Sequence, residues 1–504
     1  MIDRYRVLLL TAGALTIPLF FLPVTPEDPF LVPKQVLLSF LACIAFVALL
    51  YPVENLIKDS SRNLLLSSLF FLICISVSIP SSINHHAGID ELKRWAYLIV
   101  LFFTATKINW GLKRLQMFLR ISIIISSIIA IFAILEYFEI IPFYLYSFGQ
   151  YGRIYSFFGN QNIMAQYLII TIFWGIGLSL TSAILKTKVI ALICTILSVI
   201  ALVLSFSRGA IISTISGGLF FSYLYLKTKD MNDFNKRKIK LILMLCITTL
   251  VAGVLLSNII SDGKTFRLIV NKFERVDTSR LMLWKETINT FYSNPFTGVG
   301  LGNYSLPHYI YVHNEVLQMV AETGIIGTGG FLVFLFFVFK HLLQQYARRC
   351  SIEVKILHLA LISGCFATLM HSMVSFNLHS ATSSFFFFVG LGILCANNSK
   401  VTKRETLSRN IIKRNIFILF FTVLLSFWAM QGEYKKIMGH YSFSQALLFQ
   451  KQEDTSKSLG YSLKAIRYQP YNSKYHRFAG KLYLKTGQSK LAKSHFQKAK
   501  TLLP

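Results

Sequence analysis

The residues best suited to chemistry lie in the segment YVHNEVLQMVAETGIIG (311–327), where His313, Asn314, Gln318 and Glu322 interrupt an otherwise apolar run. A spacing of four places Asn314, Gln318 and Glu322 in one row down a helix, with His313 beside the row at its start. Val316, Leu317, Met319 and Val320 cover the remaining face. Polar side chains at bilayer depth are expensive and usually mark function. A helix N-terminus favours negative charge and disfavours imidazolium, which would hold His313 neutral and able to accept a proton. The competing reading of the same residues is a helix-capping cluster at the membrane interface.

Three arginines extend this picture. Arg208 sits in FSRGA (206–210) between two apolar runs with almost no loop between them. An arginine near the apolar zone costs roughly 2.5–3.5 kcal/mol on insertion scales, so it needs a partner. Arg153 lies in YGRIYSFFGNQNIMAQYL (151–168), just ahead of a span, and Arg280 lies in TSRLMLW (278–284). Guanidinium groups suit a multiply charged phosphate, because the rigid fork makes bidentate contacts and keeps its charge. Taken singly, each arginine is more often a headgroup-snorkelling or structural residue. Taken with a candidate base, they form a cradle.

The elements that must position these residues follow from composition. The chain has 504 residues, of which 54% are hydrophobic and 14% charged. That excludes a soluble protein and predicts an all-α, polytopic membrane protein. Spans are expected near 7–24, 36–53, 64–80, 95–109, 118–138, 162–182, 188–206, 209–226, 241–260, 314–339, 354–376, 380–397 and 416–430, about 12–13 transmembrane helices. The net charge of +29 falls mainly in alternate loops, including Lys113 and Arg114, Lys236 to Lys238, Arg348 and Arg349, and Lys403 and Arg404. This positive-inside pattern places the amino terminus in the cytoplasm and assigns the charge to loops rather than to nucleic acid. The outer side then receives 81–94, 139–161, the long loop 261–312 and everything after 430.

Seven cysteines are scattered singly, which predicts neither a disulfide framework nor a metal knuckle. GVGLGNY (298–304) superficially resembles a nucleotide loop but follows no strand, so its glycines are expected to turn the loop and deliver the chain to the helix at 313. No complete GxxxxGK[ST] phosphate loop, HExxH or Cys/His metal motif is present, and no metal or cofactor is expected. His85, His86, His371 and His379 are expected in structural or interfacial roles.

From about Tyr441 the composition becomes polar, helical and lysine-rich. Gly480, Tyr483, Ala492, Phe496, Ala499 and Pro504 fall at tetratricopeptide-repeat offsets, and Ala446, Phe449, Ala465 and Pro470 match one period upstream. The expected organisation is therefore a membrane domain over 1–430 and a helical repeat unit over 441–504. Two repeats leave a stacking face open to the membrane domain, to lipid or to a protein partner.

FSRGA (206–210), SRLMLW followed by NPFTGVGLGNY (279–304), and HNEVLQMVAETGIIG (313–327) together resemble the O-antigen ligase and O-antigen polymerase superfamily of bacterial membrane glycosyltransferases. The resemblance implies transfer of a glycan from an undecaprenyl diphosphate carrier, on the outer face of the inner membrane, to a hydroxyl of lipid A core, another glycan or a protein. It also implies that Arg208, Arg280 and Arg153 bind the diphosphate and that His313 activates the acceptor hydroxyl. Asn314, Gln318 and Glu322 would support them. Competing expectations are a lipid-linked sugar transporter, which calls for paired repeats of spans that the sequence lacks, and an inactive scaffold recruiting enzymes through its tail.

Overall fold

The computed structural model describes residues 2–22, 29–49, 62–141, 154–228, 278–304, 311–348, 351–397 and 409–502. The described chain is helical, with no strand. In order it forms α1 (Ile2–Thr16), α2 (Leu31–Leu49), α3 (Arg62–Ser76), α4 (His85–Thr106), α5 (Leu112–Tyr137), α6 (Gln161–Thr181), α7 (Leu185–Leu204), α8 (Arg208–Lys227), α9 (Thr278–Ser293), α10 (Glu315–Ala347), α11 (Ile352–Ser372), α12 (Ala381–Cys395), α13 (Arg409–Lys451), α14 (Thr455–Tyr468), α15 (Ser473–Lys485) and α16 (Ser489–Thr501). Eight of the described helical segments, α2, α3 with the short helical turn that extends it to Ser81, α5 to α8, α10 and α11, are long and apolar enough to cross a membrane, and α12 is a shorter apolar helix. The protein is thus an all-α polytopic membrane protein.

Two boundaries differ from the sequence expectation for identifiable reasons. The first run does not stay helical to residue 24: α1 stops at Thr16, ahead of Pro18, which lacks an N–H and disfavours helix in the residue before it. The run at 416–430 lies inside α13, which continues without interruption to Lys451. No proline occurs within it to end it, so residues 431–440 are helix rather than linker. The expected span at 241–260 lies outside the described residues, as do 261–277 and 305–310 of the loop 261–312; the described part of that loop holds α9 and the turn that follows.

At the centre stands α6, with almost every side chain buried. It packs against α11 and α7, while α12 packs on α4, α10 on α3 and α8 on α11. Between apolar helices in a bilayer the hydrophobic effect supplies little, so close contact must do the holding. Small residues provide it: a methyl group on Gly177 of α6 would sit 2.6 Å from the Ala360 Cβ of α11. Beyond the bundle, α14 packs on the end of α13 and α15 on α16, around Phe443, Ala446, Ala465, Tyr475, Phe478 and Leu482. Gly480 lets α15 approach α16, where an added Cβ would meet the Phe496 ring at 2.9 Å.

Candidate functional site

A turn of eight residues, 373–380, joins α11 to α12 and gathers the candidate groups. It is fixed from within by Asn377, whose Nδ2 donates to the Thr368 carbonyl at 3.0 Å and whose Oδ1 pairs with His371 Nδ1 at 2.9 Å. Gln166 of α6 ties it to the core by donating to Ser375 Oγ at 2.8 Å.

One face of this turn meets acids. Glu315, the first residue of α10, accepts through Oε1 from the backbone N–H groups of Leu378 (2.6 Å) and His379 (3.3 Å), and its Oε2 lies 2.9 Å from His379 Nδ1. The other ring nitrogen of His379 lies 3.3 Å from Glu91 Oε1. Glu91 in turn accepts from Arg94 Nε at 2.9 and 3.0 Å, and Arg94 Nη1 donates to the Leu378 carbonyl. Burial alone would lower the basicity of His379, but Glu315 and Glu91 reverse that against the opposing charge of Arg94 and push its pKa up to about 10. Two carboxylates therefore face two cations in a region where an unpaired charge would be costly. A cavity of about 10 Å³ beside them, lined in part by Glu91, Glu315, Gln318, Glu322 and His379, has room for about one water.

The opposite face meets the sequence-identified residues. Arg280 Nη1 donates to the Val374 carbonyl at 3.1 Å. Arg208 opens α8, and its neighbour Gly209 lies so close to the turn that an added Cβ would be 2.6 Å from Val374 Cγ2. The His313 ring lies 5.2 Å from the Phe376 ring, and Tyr311 stacks on Phe376 at 4.7 Å. Arg280, the start of the Arg208 helix and His313 thus all contact one turn. Arg153 lies outside the described residues; the chain just after it is anchored by Glu136, whose carboxylate accepts from Tyr155 and Ser156 N–H at 2.8 Å each.

Backbone restraint fixes His313. It has φ +56, the left-handed region, which costs on the order of 1–3 kcal/mol for a non-glycine residue and persists only when its surroundings impose it. Here Gln318 Oε1 accepts from Val312 N–H at 2.8 Å, and Trp284 Nε1 of α9 donates to the Val312 carbonyl at 3.2 Å. Asn314 is the N-cap of α10, its side chain accepting from Val316 and Leu317 N–H at 3.0 and 3.1 Å. The polar row read from the sequence therefore acts on backbone: Asn314 starts the helix, Gln318 clamps Val312, and Glu322 accepts from Gln318 Nε2 at 2.6 Å and from Gly302 N–H at 3.0 Å.

The glycine-rich segment does more than turn the chain. At Gly324 (φ +60, ψ −160) α10 breaks, and the turn after α9 supplies the missing backbone partners. Val299 and Gly300 N–H donate to the Ala321 and Glu322 carbonyls at 2.9 and 3.0 Å, while Ile325 and Ile326 N–H donate to the Pro295 and Phe296 carbonyls at 2.9 and 3.3 Å. Irregular backbone in a membrane helix is tolerated where protein satisfies it in this way. Gly300 requires φ +100 against the backbone of Ser82, where no Cβ fits.

Sequence reasoning did not single out Glu91, Arg94, Glu315 or Tyr311, and it left His371 and His379 unassigned. Glu315 stood within the HNEV motif, and Glu91 with Arg94 formed a visible i,i+3 pair at the head of an apolar helix. Nothing in the chain order joins them to His379, nearly three hundred residues beyond Glu91.

The C-terminal helices touch this same end of the bundle. Asn84 and Asn303 hydrogen-bond reciprocally, Asn84 N–H to Asn303 Oδ1 at 2.8 Å and Asn303 Nδ2 to the Asn84 carbonyl at 3.1 Å. Asn84 Nδ2 also donates to the carbonyls of Tyr471 (3.2 Å) and Leu502 (3.4 Å), and His86 stacks on Tyr471.

Residues 193–332 match the family model described as O-antigen ligase. The match spans α8, Arg208, α9, Arg280, the glycine-rich turn, His313 and the break in α10. No curated protein matches the sequence. The matched segment carries these groups, and its similarity to the O-antigen ligase family supports a glycosyl-transfer role in lipid-linked glycan biosynthesis.

Proposed function

We propose that the protein transfers a glycan from an undecaprenyl diphosphate carrier to an acceptor hydroxyl at the outer face of the bacterial inner membrane, as an inverting, metal-independent ligase. The observation that carries this reading is the meeting of Arg280, the first turn of α8 and His313 on the turn 373–380.

The carrier diphosphate is already a leaving group, so the protein's task is to hold its growing negative charge and aim an oxygen nucleophile. Arg208 and Arg280, with Arg153, grip the diphosphate oxygens. The acceptor hydroxyl attacks the anomeric carbon, the bond from that carbon to the diphosphate oxygen breaks, and the hydroxyl proton passes to the His313 imidazole. Attack in line with the leaving group inverts the anomeric centre. Gln318 and Trp284 serve by fixing the backbone at 312, and Glu315 with His379 by fixing the turn that His313 packs against. Residues 1–430 act as the transferase and 441–504 as a tetratricopeptide-like unit beside it.

The test is transfer by the purified protein between an undecaprenyl diphosphate oligosaccharide and lipid A core. His313→Ala should abolish transfer at unchanged expression; a normal rate would remove His313 from the mechanism. Product length separates ligase from polymerase: one addition per acceptor supports ligation, a ladder on the carrier supports polymerisation, and modified protein supports a protein transferase.

A further inference from the structure

The C-terminal helices hold a groove that the transfer reaction does not use. On α13, Phe443, Leu447 and Lys451 are spaced by four and share one row; on α15, Lys474, Phe478 and Lys481, spaced by four and then three, share another. The two rows face each other across a cavity of about 660 Å³, within the range of recognised binding pockets. Its floor is apolar, Phe443 and Phe478 being buried while Leu448 at the edge is 44% exposed. Its rim is cationic, with Lys451, Lys474, Arg477 and Lys481, and none of its described lining residues is an acid. Lys474 Nζ lies 5.6 Å over the Phe443 ring, so an incoming carboxylate would meet a cation beside the apolar floor.

Charge decides the sign of the occupant. Residues 441–504 carry twelve lysines and arginines against two acids, Glu453 and Asp454, and Asp454 is spent on capping α14 and pairing with Lys457. Position argues against lipid headgroups. Phe443 lies thirteen residues beyond Met430, the expected end of the membrane segment, which is roughly 20 Å along a helix rising 1.5 Å per residue. The headgroup layer is only about 5–8 Å deep on each side. A row of apolar side chains flanked by cations, between two helices, is the complement of an amphipathic helix with acidic flanks.

We propose that this groove binds an acidic amphipathic segment of a partner protein, large apolar side chains seated against Phe443, Leu447 and Phe478 and carboxylates paired with Lys474, Arg477 and Lys481. The site is separate from the transferase reading, because binding is measured without turnover.

The test uses the full chain in nanodiscs of neutral lipid and a short labelled helical peptide, with leucines at i, i+4 and i+7 flanked by glutamates, read by fluorescence anisotropy. The double variant K474E/R477E should weaken binding at least tenfold, and Leu448→Glu, at an exposed edge where folding is spared, should also weaken it severalfold. Both variants should keep transferase activity, which reports an intact membrane domain. The proposal fails if the peptide does not bind, or if a peptide with its leucines replaced by serine binds equally well, since charge alone then accounts for it. It also fails if binding survives both variants, or if vesicles rich in anionic lipid bind the groove through the same residues in place of the peptide.

Discussion

The two faces of the turn 373–380 solve opposite electrostatic problems with the same residue types. On one face Arg94 and His379 are closed off by Glu91 and Glu315. On the other, Arg280 donates to the Val374 carbonyl and the His313 ring packs against the Phe376 ring. A carboxylate neutralises the arginine it holds and so serves the fold; a carbonyl orients an arginine without itself cancelling the charge, which is what the proposed diphosphate grip asks of Arg280. The difference lies in the partner, and each side can be broken separately.

The largest effect is expected on the paired face. Glu91→Ala leaves Arg94 without its carboxylate in a buried site, a loss of about 3–5 kcal/mol. Thermal unfolding in detergent measures it; a melting temperature unchanged from wild type would mean the pair is not holding the turn. The same network responds to pH. His379 has a folded-state pKa raised to about 10, against about 6.5 when unfolded, so its contribution is complete below about pH 6.5 and is lost as pH rises toward 10. Stability should fall across that window, and His379→Gln should flatten the fall while lowering stability below it. An unaltered slope in the variant would assign the titration to another group.

Next comes the open face. Arg280→Ala should cut transfer by about 10²–10³, the usual cost of one preorganised donor to developing negative charge, with thermal stability close to wild type. Arg280→Lys should recover only part, because a point charge does not replace the fork. A large stability loss with wild-type specific activity in the surviving protein would move Arg280 to the structural class and erase the contrast.

Legibility in the sequence followed the range of the interactions. Apolar run length is local, so the helices at 161–181, 185–204 and 208–227 lie within a few residues of their expected bounds. Ends set by proline or by a continuous run of helix formers went wrong at α1 and α13. In the site, Arg208, Arg280 and His313 were visible because their residue types are costly or reactive where they stand. Their supports were not, because Glu91, Glu315 and His379 meet only after α4, α10 and α12 are packed. The break in α10 was hidden for the same reason: Gly324 looks like an ordinary membrane-helix glycine until Pro295 to Gly300 are seen filling the gap. Substituting Gly300 with alanine forces a side chain into the left-handed region against Ser82. Loss of at least about 1–3 kcal/mol is expected, with transfer falling too if the strut orients His313; full activity in the folded fraction would uncouple the two.

The smallest effect distinguishes the ends of the polar row. Asn314 adjoins His313, and the sequence alone allowed it either a cap or a part in the reaction. Its side chain accepts from two backbone N–H groups of α10, so Asn314→Ala should cost about 1 kcal/mol of stability, the ordinary cost of losing an N-cap. Asn314→Asp and Asn314→Ser keep an acceptor oxygen and should restore both stability and transfer, because a cap needs only that oxygen in reach of N2 or N3. A group that touched substrate through its amide would behave differently: aspartate would restore the melting temperature and leave transfer low. Comparing the melting temperature and the initial rate across the three variants therefore assigns Asn314 to the helix or to the open face.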